Sequence, residues 1–327
     1  MSTSLITRLS NCLNLEPTIL EGLAVIASPF AIESGEFIFR QGETAIGMYV
    51  VDHGRVQIKA RIPGDDALSI VELGEGEIFG ELAFLDEEDR SASAIAVTAV
   101  TGWSISRAGF RGLLHGRQPV ARNVLECIQK KVAGRIRQTL YRIIESSSVI
   151  NLQRRTSVVS PRWSIPEASI ASLLETFSTT GLMLVPRWVN LLEQCHLVEI
   201  SRGARFDFDE GDEGRDSLLW VLRGAIRECV ARGDELEQLW VTGPGALGAV
   251  VGFVDGEPHP LTLQAAEDSL VLALPRHRLA HLEAQDSLLA IFLQNLIGQQ
   301  LALAQRRVNR HLGRAIGLHR FNHVTDH

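Results

Sequence analysis

Val50-Val-Asp-His-Gly54-Arg-Val56 and Trp220-Val-Leu-Arg-Gly224-Ala-Ile226 read as one piece of chain written twice. Each is an apolar run, a glycine, and a second run that resumes at once. That is the pattern of two short antiparallel strands joined at a turn where glycine is at ease. The match extends outward: Phe39-Arg-Gln-Gly42-Glu corresponds to Phe208-Asp-Glu-Gly211-Asp, and Phe79-Gly80 to Leu247-Gly248. The offsets of the three glycine pairs, taken in the order Gly42, Gly54 and Gly80, are 169, 170 and 168. The chain of 327 residues therefore holds two copies of one domain in tandem.

Within the first copy, apolar runs at Phe37-Ile-Phe, Met48-Tyr-Val-Val, Val56-Gln-Ile-Lys, Leu68-Ser-Ile-Val, Ile95-Ala-Val and Trp103-Ser-Ile are cut by turn signals at Gly35, Gly42, Gly54, Gly64-Asp65 and Gly74-x-Gly76. This spacing predicts a sandwich or barrel of short antiparallel strands. Helices flank it. Residues 3–28 carry Pro17 where a first helical turn begins, followed by Leu20, Leu23 and Ile26. Leu125, Ile128, Val132, Ile136, Leu140 and Ile143 step by 3, 4, 4, 4 and 3, an amphipathic stripe that predicts a helix over about 119–144. Residues 145–165 are polar and broken by Pro161, and read as a linker. The layout then returns. Residues 167–195 read helical, glycine-punctuated runs follow from Phe206 to Leu274, and a last helix carries Leu293, Ile297, Leu301, Ala304, Val308 and Leu312. The expected organisation is a mainly β protein with flanking helices: a domain over 1–144, a linker over 145–165, a domain over 166–313 and a tail over 314–327.

Hydrophobic residues make up 45% of the chain and charged residues 22%, an ordinary globular balance. A net charge of −7 argues against a surface built to grip nucleic acid, so DNA is not an expected partner. No uninterrupted apolar run approaches the roughly 18 residues of a membrane span, and the first residues do not resemble a secretory signal, so a cytoplasmic protein is expected. Cys12, Cys127, Cys195 and Cys229 form no C-x-x-C pair, which points to reduced thiols and to no metal centre. No nucleophile elbow, Walker loop or kinase signature is present, and the segments outside the two copies are too small for a catalytic domain. No enzyme activity is expected.

The chemistry concentrates in Phe79-Gly80-Glu81-Leu82-Ala83-Phe84-Leu85-Asp86-Glu87-Glu88-Asp89-Arg90-Ser91-Ala92-Ser93. Gly80 lets backbone approach a ligand closely. Leu82 to Leu85 reads as a single helical turn. Arg90 offers a planar fork suited to phosphate, and the small Ser91 and Ala92 leave their amides unobstructed. Glu81 beside a phosphate site makes sense as an acceptor for a sugar hydroxyl. The competing reading is a solvent-exposed Glu81–Arg90 salt bridge on a loop, which contributes little.

This segment resembles the phosphate-binding cassette of the cyclic nucleotide-binding domain family, found in the catabolite activator protein and in regulatory subunits of cyclic-AMP-dependent protein kinase. Gly35-Glu-Phe-Ile-Phe-Arg-Gln-Gly42-Glu and Met48-Tyr-Val-Val-Asp-His-Gly54-Arg-Val carry the same resemblance, which is strong over about 30–145 and weaker over 200–310. It implies two tandem cyclic nucleotide-binding β-roll (jelly-roll) domains, each followed by a long helix. It also implies that Arg90 binds the cyclic phosphate and Glu81 the ribose 2′-hydroxyl, with backbone near Gly80, Leu82, Ala83, Ser91 and Ala92 on the sugar-phosphate. The helix over 119–144 would report occupancy. Asp89 stands where the family often has proline, inside an acidic run that would blunt the potential of Arg90 unless it points to solvent. Ser91 carries a hydroxyl yet is shared with the catabolite activator. Cyclic AMP is therefore the expected ligand and cyclic GMP the alternative.

The second copy departs from this pattern. Ala249 replaces the ribose carboxylate, and the arginine position falls at His259 or Pro260. A degenerate domain is expected there. Arg154-Arg155-Thr156-Ser157 resembles a basophilic kinase site, and His319, His323 and His327 step by four; both read as incidental. The stretch after Leu312 is too short for a helix-turn-helix domain. The expected function is a regulatory receptor for a cyclic nucleotide, with a protein partner and a homodimer through the long helices. A scaffold that no longer responds to nucleotide is the alternative.

Overall fold

The computed structural model describes residues 2–62, 65–145, 191–192, 194–206, 216–232, 235–285 and 287–324. Beyond Glu145, the expected linker lies outside the described residues, as do Ser157 and most of the helical stretch over 167–195.

The chain opens with α1 (Ser2–Leu13) and α2 (Pro17–Ala24). Pro17 starts α2, where its missing N–H costs nothing, and Leu20 and Leu23 are buried. Then follow β1 (Ala27–Ile32), β2 (Phe37–Phe39), β3 (Gly47–His53), β4 (Val56–Ile62), β5 (Asp65–Leu73), β6 (Ile78–Phe79), the single turn α3 (Leu82–Leu85), β7 (Ser93–Ala96) and β8 (Val100–Ser106). These strands form two four-stranded antiparallel sheets, in the orders β1-β8-β3-β6 and β2-β7-β4-β5. Phe39, Tyr49, Val51, Val56, Leu73, Phe79, Ala94, Ala96 and Val100 close over one another as the core, drawn from both sheets. Two helices finish this copy. The Ser106 side chain accepts the Gly109 N–H and caps α4 (Arg107–His115). In α5 (Pro119–Glu145), all six stripe residues named above are buried.

The second copy repeats this plan with β9 (His196–Ile200), β10 (Arg205–Phe206), β11 (Ser217–Arg223), β12 (Ile226–Arg232), β13 (Glu235–Thr242), β14 (Leu247–Gly248), α6 (Val250–Asp255), β15 (Thr262–Ala265), β16 (Ser269–Pro275), α7 (Arg276–Gln285) and α8 (Ser287–Val324). Its sheets run β14-β11-β16-β9 and β10-β15-β12-β13, the orders of the first copy strand for strand. The glycine spacing in the sequence is thus a repeat of topology. Gly54 and Gly224, the pair that marks it, have φ of +97° and +80°, the left-handed backbone that side chains resist.

The chain divides into two compact units, residues 1–132 with 312–327, and residues 133–311. Both boundaries fall inside long helices, α5 and α8. By length and composition Leu288–Leu312 could cross a membrane. Leu293, Ile297, Leu301, Ala304, Val308 and Leu312 are nevertheless buried within the protein, as in a core helix. The stripes that suggested a homodimer seam are covered within a single chain.

Candidate functional site

Arg90 decides the character of the loop between α3 and β7. Its backbone is locked into the neighbouring turn: its N–H donates to Glu43 O at 2.9 Å and its carbonyl accepts the Gly42 N–H at 3.0 Å. Arg90 is 6% exposed and Glu81 5%, so the reading of the two as a solvent-exposed pair does not hold. The guanidinium lies 4.0 Å over the Phe39 ring and 5.5 Å from the centre of Tyr49, in a stack that Phe79 completes. Nη1 donates to Gly80 O at 3.1 Å, while Nε has no hydrogen-bond partner among the described residues. Gly80 makes this possible. At φ +70° it occupies the left-handed region, and a Cβ there would stand 2.6 Å from Nη1.

A buried cation without an ion-paired carboxylate is costly. Burial pushes the Arg90 guanidinium below its usual range; Tyr49 and Glu81 work against that push, and Arg107 works with it. The arrangement is one that an incoming anion would relieve. Leu82 and Ala83 are buried, with the Ala83 N–H donating to Gly80 O at 3.2 Å, and Ala92 is buried beside the half-buried Ser91. Among the described residues, the Leu82, Ser91 and Ala92 amides meet no acceptor. Of the other expected residues, Gly80 touches the guanidinium and Glu81 lies close enough to act on its charge. Of the acidic run, Glu87, Glu88 and Asp89 are exposed and only Asp86 is buried, so three of the four charges point to solvent.

The family model described as the cyclic nucleotide-binding domain matches residues 29–117 and 205–286, more than half of the chain. The chain belongs to that family. Among curated relatives, it is 33% identical over 99 residues to the acetyltransferase Pat of Mycolicibacterium smegmatis, covering 30% of this chain and 29% of that one. It is 26% identical over 118 residues to the CRP-like cAMP-activated global transcriptional regulator of Mycobacterium tuberculosis, covering 36% and 53%. The chain thus spans about half the length of these relatives or less. Among solved structures, the regulatory domain of Toxoplasma gondii PKA with cAMP aligns over 88% of this chain and 94% of that one, at 18% identity and a TM-score of 0.33.

Local sequence pattern does not point to one further residue near Arg90. Arg107, at the start of α4, lies close enough to depress the Arg90 guanidinium, and its own Nη1 is buried without a partner among the described residues. The repeat held the clue. At the offset of the Gly42–Gly211 pair, Arg276 opens α7 and donates to Gly252 O at 2.6 Å, bracing the second cyclic nucleotide-binding domain at α6.

Strand register settles the arginine position of that second domain. Val56 pairs with Ala96 as Ile226 pairs with Ala265, so His259, not Pro260, stands at the place of Arg90. Ala249, opposite number of Glu81, sits in left-handed backbone at φ 59°. The His259 side chain is 3% exposed, with Nε2 at 3.3 Å from Glu228 Oε2, and Thr242 donates to the same carboxylate at 2.9 Å. Burial pushes Glu228 up, but His259, Thr242 and Trp240 more than offset this and hold it below the ordinary carboxylate value. Arg307 of α8 also senses this carboxylate. A carboxyl depressed in the folded state contributes stability in full above its unfolded value, about 4.3. That contribution is lost as pH falls through the lower folded value. Glu228→Gln is expected to cost about 1–2 kcal/mol at neutral pH and to flatten the acid limb of the melting-temperature profile. An unchanged acid limb would contradict this account.

Proposed function

We propose that this chain is a non-catalytic cyclic-AMP receptor with a working N-terminal domain and a C-terminal domain that has lost the nucleotide. The observation that carries this reading is the buried Arg90 guanidinium, held over aromatic faces with an unused Nε and, among the described residues, no ion-paired carboxylate. A monoanionic cyclic phosphate would supply the missing charge. Glu81, buried at the residue that leads into α3, would accept the ribose 2′-hydroxyl. The similarity to a cAMP-activated relative supports the ligand class. In the second domain the histidine that replaces the arginine is paired with the chain's own Glu228, which supports a single nucleotide per chain. Capture would be reported by α5 through differential affinity for two arrangements of that helix.

Calorimetric titration of the full chain with cyclic AMP, cyclic GMP and a cyclic dinucleotide tests the reading. One cyclic AMP per chain is expected, bound more tightly than cyclic GMP. No heat and no thermal shift at millimolar nucleotide would overturn it in favour of a scaffold.

A further inference from the structure

Helix α5 leaves the first β-roll, yet from Ala133 onward it belongs to the unit formed by residues 133–311. Arg137 sits on that part. Its Nε donates to Asp255 Oδ2 at 2.8 Å and its Nη2 to Asp255 Oδ1 at 2.8 Å, a parallel fork on one carboxylate. Nη1 donates to Pro258 O at 2.8 Å, and Nη2 also reaches Glu257 O at 3.4 Å. Both charged side chains are 12% exposed, well below the exposure of an ordinary surface pair.

The second cassette builds this receptacle from its own backbone. Asp255 ends α6, Gly256 turns the chain at φ +85°, and Asp255 Oδ1 accepts the Glu257 N–H at 3.1 Å, which fixes the carboxylate. A Cβ on Gly252 would stand 2.9 Å from both Glu257 O and His259 N, so glycine is what lets residues 257–259 lie against α6. The product is a carboxylate and two carbonyls converging on one point, acceptors only. Where the first cassette presents a guanidinium, the second receives one. Both members of the pair are also written into the repeat: the shift that carries Gly42 to Gly211 carries Asp86 to Asp255 and Arg137 to Arg306.

We propose that the cassette of the second domain is a guanidinium socket that fixes the first domain's exit helix through Arg137, making nucleotide affinity at the first site depend on the second domain. This rests on the receptor reading of the first site. Its physical basis is that α5 is one uninterrupted helix from Pro119, so holding residue 137 restrains the segment that leaves the first β-roll. Any such restraint is reciprocal: what the socket does to the helix, nucleotide does to the socket.

The test uses the full chain as wild type, Arg137→Ala, Asp255→Asn, the double variant, and Arg137→Lys, which keeps the charge without the fork. Cyclic-AMP affinity and amide hydrogen exchange over residues 133–145 are measured together. Either single substitution should speed exchange there and change Kd by about fivefold or more. The double variant should go no further, because both changes remove one interaction. Arg137→Lys should recover part of the wild-type Kd. Wild-type chain that binds cyclic AMP, with variants within twofold of it, would overturn the coupling even if the variants melt earlier. Unchanged exchange would overturn the socket. A wild-type chain that binds no cyclic AMP would instead overturn the receptor reading beneath it.

Discussion

Arg90→Ala should weaken cyclic-AMP binding by about 2–4 kcal/mol, the loss expected when one member of a buried charge pair is removed. That corresponds to a roughly 30- to 900-fold rise in Kd. The geometry explains why the effect is large. The guanidinium is already desolvated and already aligned by Phe39, Tyr49 and Gly80 O, so little ordering remains for the ligand to impose. The free chain should respond in the opposite sense to Arg90→Met, which keeps the volume and removes a buried charge held without an ion-paired carboxylate. Its melting temperature is expected to hold or rise while nucleotide binding is lost. Calorimetry and thermal melts on the same preparations check both halves. Wild-type affinity in the alanine variant would remove Arg90 from the site.

The second large effect is on stability, at the glycine pair that marks the repeat. Gly54 has φ +97°, and a Cβ there would overlap the Ala99 carbonyl oxygen and come within 3.1 Å of Val100 Cα. Gly224 has φ +80°, with Asp268 O and Ser269 Cα each 2.7 Å from the Cβ position. The Ser269 hydroxyl at Gly224 and the Thr98 hydroxyl at Gly54 could turn aside, but the remaining obstacles are backbone, which has no rotamer to escape into. Strain in left-handed backbone alone costs about 1–2 kcal/mol, and the overlap adds to it. Gly54→Ala and Gly224→Ala should each destabilise their own domain by about 3 kcal/mol or more. Their functional consequences should differ. Gly54→Ala removes nucleotide binding with the fold of the first domain, whereas Gly224→Ala leaves binding detectable. Denaturant titrations followed with and without cyclic AMP distinguish them, and equal loss of binding in both would contradict a single N-terminal site.

Much of this was legible in the sequence because it is periodic or local. The glycine offsets point to two copies, and the strand orders agree position by position. The stretch from Gly80 to Ala92 is short enough that residue types and spacing alone single it out as the candidate site. The fate of the acidic run was not legible, since alternation does not say that Asp86 turns inward while Glu87 to Asp89 turn out. The position of His259 also needed register. An offset of 168 at Gly248 becomes 169 by β15, because the second cassette carries one extra residue in a longer α6. Arg107 left no local mark, only its copy at Arg276. The Arg137–Asp255 fork joins positions 118 apart in the chain, a distance at which no pattern of neighbours speaks.

The division of the chain has a consequence for how it is made. One compact unit is discontinuous: residues 1–132 are completed by residues 312–327, with all of 133–311 in between. During synthesis both sheets and the core of the first β-roll emerge before any residue of the other unit, so that roll can form first, while residues 312–324 join the chain only after the whole of 133–311.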